Sequence, residues 1–464
     1  MMNGLQALTY WQDFFNHPKG SILGLFNCIG SVGGLFALLF LPFTQDWVGR
    51  KPTMIAGALV LLVGVGLQAG ARDFQMFVAA RFIIGFGTTY VVCTAPLLIA
   101  EVAPVQDRAI LVTISGACYQ TGAFIAAWTT FGTLQIQSNW SWRLPSLLQA
   151  VFTIILLIAL PFIPESPRYY VAKDKQQKAL EILAYYHAQG DESDEVVQLE
   201  FTEIVTALTM ERAAEHSSSY LDFFRTRGNM HRLLIVICLG LFAQWSGNGL
   251  VSYYLTTILK MVGITSPQQQ LGYNGGLTTF SLITNLIFSF YVEKWGRRPI
   301  QLIASIGMLV AFTIWTIIAA RYSISPQAGE GKGVLAMIFI YYLWYNLKSG
   351  LMSSYSTEIL PYNLRAKGFT ILNFSQDAVL FFNQYVNSIA LNNIGWKYYI
   401  FYCCFLAMEV TIIYFFFVET RYMPLEEISK IFDGNDVAEA TNQEILERGE
   451  KTFAIHVEES EINA

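Results

Sequence analysis

Charge is what this sequence has least of. Asp, Glu, Lys and Arg make up 14% of its 464 residues, against about 25% in soluble chains. A soluble chain of this length would have a large polar surface and too little charge to cover it, so an ordinary soluble fold is excluded. Paired cysteines are lacking as well. Cys28, Cys93, Cys118, Cys238, Cys403 and Cys404 all fall inside apolar runs, with neither disulfide nor zinc spacing, and read as buried thiols. The five histidines (His17, His187, His216, His231 and His456) show no triad or metal spacing, and there is no phosphate-cradling P-loop. No enzyme, no ATP hydrolysis and no cofactor are therefore expected. A net charge of −5 rules out a broad nucleic-acid-binding face. Met1–Lys19 has no basic start, apolar core or small-residue cleavage site, so it does not read as a signal peptide.

What fills the space is apolar. Hydrophobic residues reach 54% and aromatics 15%, and the mean hydropathy is +0.42. A helix crosses hydrocarbon in about 20 apolar residues. Runs of that kind predict eleven spans: 20–43, 53–71, 74–100, 110–134, 143–163, 232–259, 271–291, 300–320, 333–357, 366–391 and 397–418. The expected fold is all-α and polytopic. Of 29 Lys and Arg, twenty fall in one alternate set of loops and the tail, including Arg50, Lys51, Arg108, Arg168, Arg297, Arg298 and Arg365. Basic loops stay inside, so that set is cytoplasmic, the C-terminus is inside and, with eleven spans, the N-terminus is outside.

The spans fall into two groups around a polar segment, 164–231. This predicts an outer segment (1–19), a first membrane half (20–163, five spans), a cytoplasmic linker (164–231), a second half (232–418, six spans) and a charged tail (419–464), disordered beyond about Gly434. The halves repeat themselves. Asp46-Trp-Val-Gly49-Arg50-Lys51-Pro52 recurs as Glu293-Lys-Trp-Gly296-Arg297-Arg298-Pro299. Glu101 with Pro104 and Arg108 recurs as Glu358 with Pro361 and Arg365. Two copies of two different loops indicate internal duplication, the architecture of secondary transporters with a site near the midplane. Gly permits the tight turn, and the acids can pair with the arginines across helices of one half. Such a lattice is expected to hold the inward side shut and release as it opens.

On these residues the chain resembles the sugar porter family of the major facilitator superfamily. The resemblance also takes in Arg81 with Gly85 and Gly87, Gln120-Thr-Gly122, Trp142-Arg143-Leu-Pro145, Pro164-Glu165-Ser-Pro-Arg168 and Glu419-Thr-Arg-Tyr-Met-Pro-Leu-Glu426-Glu427. Within the family, Gln244-Trp-Ser-Gly-Asn248 through Tyr254 and Phe382-Asn383-Gln384-Tyr385-Val-Asn387 look like the fungal lactose-permease-like and hexose-transporter-like branch. The resemblance implies two pseudo-symmetric helical halves and secondary transport of a hexose or a disaccharide such as lactose, by uniport or proton symport. It further implies a monomer in a lipid bilayer, in the plasma membrane. A sugar sensor of the same fold and a truncated, inactive carrier are the alternatives. Family members have twelve spans with both ends inside; this chain begins where the first normally ends, so its eleven are expected to correspond to family spans two to twelve, a misplaced start being the preferred explanation.

A sugar calls for amides and hydroxyls, which donate and accept without charge. Gln120, Gln244, Asn248, Tyr253, Asn274, Asn373 and Asn383 are the candidate substrate contacts; Gln120, Gln244, Asn248 and Asn274 match family contacts by resemblance. Asp46, Arg50, Lys51, Glu101, Arg108, Glu165, Arg168, Glu293, Arg297, Arg298, Glu358, Arg365 and Glu419 form the candidate gating network. Charges within spans are functional candidates because their burial is costly. They are Arg81, whose family counterpart pairs with an Asp on helix one in proton-coupled members, and Lys348, Asp377 and Glu409. Counting about 1.5 Å per residue from the span ends puts Lys348, Asp377 and Glu409 at one depth. The expectation is a Lys348–Asp377 or a Lys348–Glu409 pair, either static or with a role in transport.

Overall fold

A computed structural model describes residues 2–215, 220–289, 295–325, 328–421, 423 and 425–433. Every regular element among them is helical. Two short helices, α1 (Met2–Leu5) and α2 (Thr9–Phe14), precede α3 (Gly20–Val48), α4 (Arg50–Ala69), α5 (Phe74–Val102), α6 (Val105–Thr133) and α7 (Trp140–Ala159). The polar segment forms α8 (Pro167–Ala172), α9 (Gln176–His187) and α10 (Glu195–Glu215). The second set is α11 (Arg227–Trp245), α12 (Asn248–Met261), α13 (Pro267–Ser289), α14 (Arg297–Ile324), α15 (Ala328–Ser349), α16 (Leu351–Ile359), α17 (Tyr362–Ile394) and α18 (Tyr398–Phe416), and α19 (Leu425–Asp433) closes it.

Among the described residues seven stretches are long and apolar enough to cross a membrane by length and hydropathy. One of them, Lys367–Phe416, runs 50 residues and covers two of the expected spans. Phe36, Leu39, Phe43, Ile155, Ile158, Ile303, Val310 and Phe415 are exposed on these helices. In water such a surface would aggregate; in lipid it is the outer wall, and helices satisfy their backbone groups internally there.

Local sequence explains the ends. Asp73 accepts from the Met76 N–H at the start of α5, and Thr226 from the Asn229 N–H at the start of α11, each capping one orphan donor. Small residues set the close approaches. A Cβ on Gly85 of α5 would collide with the Gly30 carbonyl of α3, and one on Gly33 with the Phe82 carbonyl, which is how membrane helices pack without a hydrophobic drive.

In the first half α3, α4 and α5 pack mutually and α7 packs on α4; in the second, α14 packs on α15 and α18, and α11 on α17. The two sets meet along α3–α17 and α6–α13. At the end away from the Gly49 loop, Met2, Leu5, Leu8, Trp11, Phe26 and Trp142 share one apolar cluster with Leu250, Val251 and Leu255.

Two expected spans are not continuous. The 232–259 run breaks between α11 and α12 at Gly247, whose φ of 105° is left-handed, a conformation open to glycine without strain. The 333–357 run breaks at Gly350, between α15 and α16.

Candidate functional site

The repeated loops build two matching charge clusters. In the first half Arg50 pairs with Glu101 through Nε (3.1 Å) and Nη2 (3.2 Å) and reaches Asp46 at 3.8 Å. Glu165 accepts from the backbone N–H groups of Arg50 and Lys51, both at 3.0 Å. Lys51 Nζ donates to the Pro161 and Ile163 carbonyls. In the second half Arg297 pairs with Glu358 at 3.0 Å, Glu419 accepts from the N–H groups of Arg297 (2.9 Å) and Arg298 (3.1 Å), and Arg298 donates to the Tyr414 carbonyl. In both, a carboxylate from just past the last span of the half caps a helix that starts at glycine, where no side-chain cap is available. The positive helix end favours the anion. Gly49 (φ 105°) and Gly296 (φ 88°) leave room for it: a Cβ would lie 2.5 Å from Glu165 Oε2 and 2.9 Å from Glu419 Oε2. Burial and the neighbouring Glu165 carboxylate raise the Tyr170 hydroxyl above its ordinary pKa.

Arg168 is engaged in the same region. The side chains of Arg108 and Arg365, and Glu293 altogether, lie outside the described residues. The ion pairs of these clusters each stay within one half, so among the described residues they form two separate braces rather than a latch between halves.

The polar cluster forms around the α11–α12 break. Asn248 Nδ2 donates to Tyr345 Oη at 2.7 Å. Asn383 Nδ2 donates to the Gln244 carbonyl at 2.8 Å, while its Oδ1 accepts from Tyr402 Oη at 2.9 Å. Tyr402 and Tyr398 also donate to Asn387 Oδ1. Asn248 Oδ1 and Asn387 Nδ2 are buried with no hydrogen-bond partner among the described residues. An orphan acceptor and an orphan donor in one buried cluster are unusual in a finished core. Tyr254 donates to the Gln384 carbonyl, and Ser31 of α3 to Gln384 Oε1 at 2.7 Å, which ties the first half to the cluster. Asn274 accepts from Asn3 at 3.1 Å. Tyr253 lies beside Arg81 and Gln384. Gln120 is half-buried on α6 and makes no hydrogen bond to the cluster among the described residues. Asn373 lies ten residues before Asn383 on α17, about 15 Å along the helix.

The span charges separate. Lys348 (3% exposed) bonds Glu409 (0% exposed); of the two expected partners the geometry selects Glu409. Asp377 lies in the neighbourhood of Cys93 of α5. Arg81 donates weakly to the Phe26 carbonyl at 3.4 Å, and no carboxylate pairs with it among the described residues.

Several participants were not singled out in the sequence. Tyr345 and Tyr402 are two among 24 tyrosines, with no pattern to mark them. Arg232 looked like a loop charge but is buried, held bidentately by Asp433 of α19 at 2.9 and 2.7 Å and bonded to the Ile359 carbonyl.

Comparison with known proteins agrees with this architecture. The profile of the family described as "Sugar (and other) transporter" matches residues 3–432. The MFS-type transporter criB of Aspergillus cristatus is 28% identical over 435 residues, covering 93% of this chain and 89% of that protein. The sugar transporter STL1 of Saccharomyces cerevisiae is 28% identical over 405 residues, covering 86% and 70%. Among solved structures, the inward open conformation of the xylose transporter XylE from E. coli superimposes with a TM-score of 0.75 at 19% identity, covering 93% and 98%. With the duplicated loops, the two helical sets and this match over nearly its whole length, the chain is a multi-pass membrane protein of the major facilitator fold and belongs to the sugar (and other) transporter family.

Proposed function

We propose that this protein carries a sugar, a hexose or a disaccharide such as lactose, across a membrane by alternating access. The observation that carries the reading is the neutral polar cluster at the α11–α12 break. Asn248 Oδ1 and Asn387 Nδ2 stand unpaired there among tyrosine hydroxyls, the Gln244 backbone carbonyl and the Asn383 amide. A sugar hydroxyl both donates and accepts, so it satisfies such a pair where an ion would not. The names of the relatives support the same substrate class.

On this reading residues 20–163 and 232–418 are the two moving halves, holding eleven crossings, and 164–231 is the cytoplasmic linker. The carrier works as a monomer in the lipid of the plasma membrane, by uniport or proton symport. Uptake of labelled glucose, lactose and cellobiose by transporter-null yeast tests the reading. Saturable uptake of one of them is the expected result. No uptake, with sugar-dependent signalling retained, would replace it with the sensor reading. Sugar-induced alkalinisation of the medium separates symport from uniport.

A further inference from the structure

Lys348 and Glu409 lie outside the cluster just described and outside both charge braces. Their surroundings show what they hold. Glu409 accepts from Lys348 and from Ser305 Oγ (2.7 Å) on one oxygen and from Ser246 Oγ (2.7 Å) on the other. Lys348 Nζ also donates to Ser246 Oγ at 3.1 Å and stands 6.0 Å over the Phe242 ring. Four helices meet here: α11 through Phe242 and its C-cap Ser246, α14 through Ser305, α15 through Lys348 and α18 through Glu409. A buried pair whose other donors and acceptors are also satisfied is the form in which two charges are tolerated in such a place.

The position of the pair matters more than its strength. Ser246 is the last residue before Gly247, where α11 gives way to α12, and Asn248 is the first residue of α12. Lys348 lies two residues before the other break, Gly350. Tyr341, Tyr345 and Lys348 recur at spacings of four and three and so share one face of α15. Tyr341 Oη donates to the Ser246 carbonyl at 2.8 Å, and Tyr345 Oη accepts from Asn248. That one face therefore makes three bonds to the two residues that flank Gly247, and Glu409 anchors the grip to α18.

We propose that Lys348 and Glu409 are positioning residues for the sugar site, fixing the α11–α12 break so that Asn248 and Tyr345 face the substrate in the binding geometry. The proposal rests on the carrier reading above. The test is uptake kinetics in transporter-null yeast with surface protein quantified, on the native chain, Lys348→Met, Glu409→Gln, the exchanged pair Lys348→Glu/Glu409→Lys, and Ser246→Ala. Each single-charge variant is expected to raise KM about tenfold with kcat per molecule within about twofold of native, and the exchanged pair to recover KM to within about threefold. Ser246→Ala leaves both charges in place and is expected to raise KM about threefold. It carries the test if the single-charge variants do not reach the membrane. Unchanged KM with only surface abundance or kcat reduced, or an exchanged pair as impaired as the single variants, overturns the positioning role. A native protein that takes up no sugar overturns the carrier reading itself, and the proposal with it.

Discussion

Replacing Glu419 with Gln tests how a helix that starts at glycine is capped. The Glu419 carboxylate accepts four backbone N–H groups: Arg297 at 2.9 Å, Arg298 at 3.1 Å, Thr420 at 3.1 Å and Arg421 at 2.9 Å. Three go to Oε1 and only the Arg298 bond to Oε2. Glutamine keeps one oxygen, so at best the Oε1 set survives, without its charge. An NH2 then faces the Arg298 N–H, donor against donor. Losing a hydrogen bond to a charged acceptor costs about 1.5–3 kcal/mol, and losing the anion at the helix start a further ~0.3–1. The expected destabilisation is roughly 2–4 kcal/mol. Thermal unfolding of the purified protein in detergent should show it as a lowered midpoint. Glu165→Gln in the other half should behave alike, since Glu165 accepts from Arg50, Lys51 and Ser166 in the same way. The two braces are in separate halves, so the double variant should equal the sum within about 0.5 kcal/mol. A Glu419→Gln protein as stable as native would refute the capping argument. A clearly non-additive double would refute the independence of the two braces.

Three further outcomes are expected. Gly247→Ala should reach the membrane in reduced amount and lose uptake, because its φ of 105° disfavours a side chain by about 1–2 kcal/mol and its Cβ would lie 2.7 Å from Phe312; surface quantification with uptake reads both effects. Asn248→Ala should raise KM about tenfold or more by removing both the Tyr345 bond and the orphan acceptor, whereas Asn373→Ala should leave KM within about twofold; direct sugar-binding titrations check the contrast. Asp433→Asn should loosen α19 by weakening the bidentate bond to buried Arg232, a loss of about 3 kcal/mol, and faster trypsin cleavage at Lys430 is the readout.

The charge braces were legible because they occur twice. An acid, a glycine, two basics and a proline at fixed spacing mark the same turn in both halves, and chain order alone places Glu101 and Glu358 within reach. The Lys348–Glu409 pair was legible from depth, since counting residues from the basic loops puts both at one level; which of Asp377 and Glu409 is the partner depends on helix rotation, which a depth count does not contain. The break at Gly247 was hidden because a glycine inside an apolar run looks the same whether its φ is negative or positive, and the one at Gly350 because its φ of −74° is that of an ordinary helical residue. Arg232 was hidden because its partner, Asp433, lies 201 residues away on a tail helix that apolar-run counting does not register.

The placement of the charges changes what must break when the carrier moves. The sequence reading paired acids with arginines across helices of one half, and Arg50 with Glu101 and Arg297 with Glu358 do link helices of their own half. Among the described residues the bonds between the first and second parts of the chain are of another kind. At the opposite end Met2, Leu5, Leu8 and Trp11 share a core with Leu250, Val251 and Leu255. Asn3 donates to the Val251 carbonyl and to Asn274, Thr256 donates to Gln6, and Ser31 to Gln384. Opening that end separates apolar side chains and exchanges neutral hydrogen bonds for bonds to water, at a net cost of about 1 kcal/mol each. Among the described residues no buried charge need be stripped of its partner, a step that costs about 3–5 kcal/mol. Among the described residues the ion pairs thus lie within each helical set and neutral contacts lie between the two sets, the arrangement that the proposed rocking of two halves about a central site calls for.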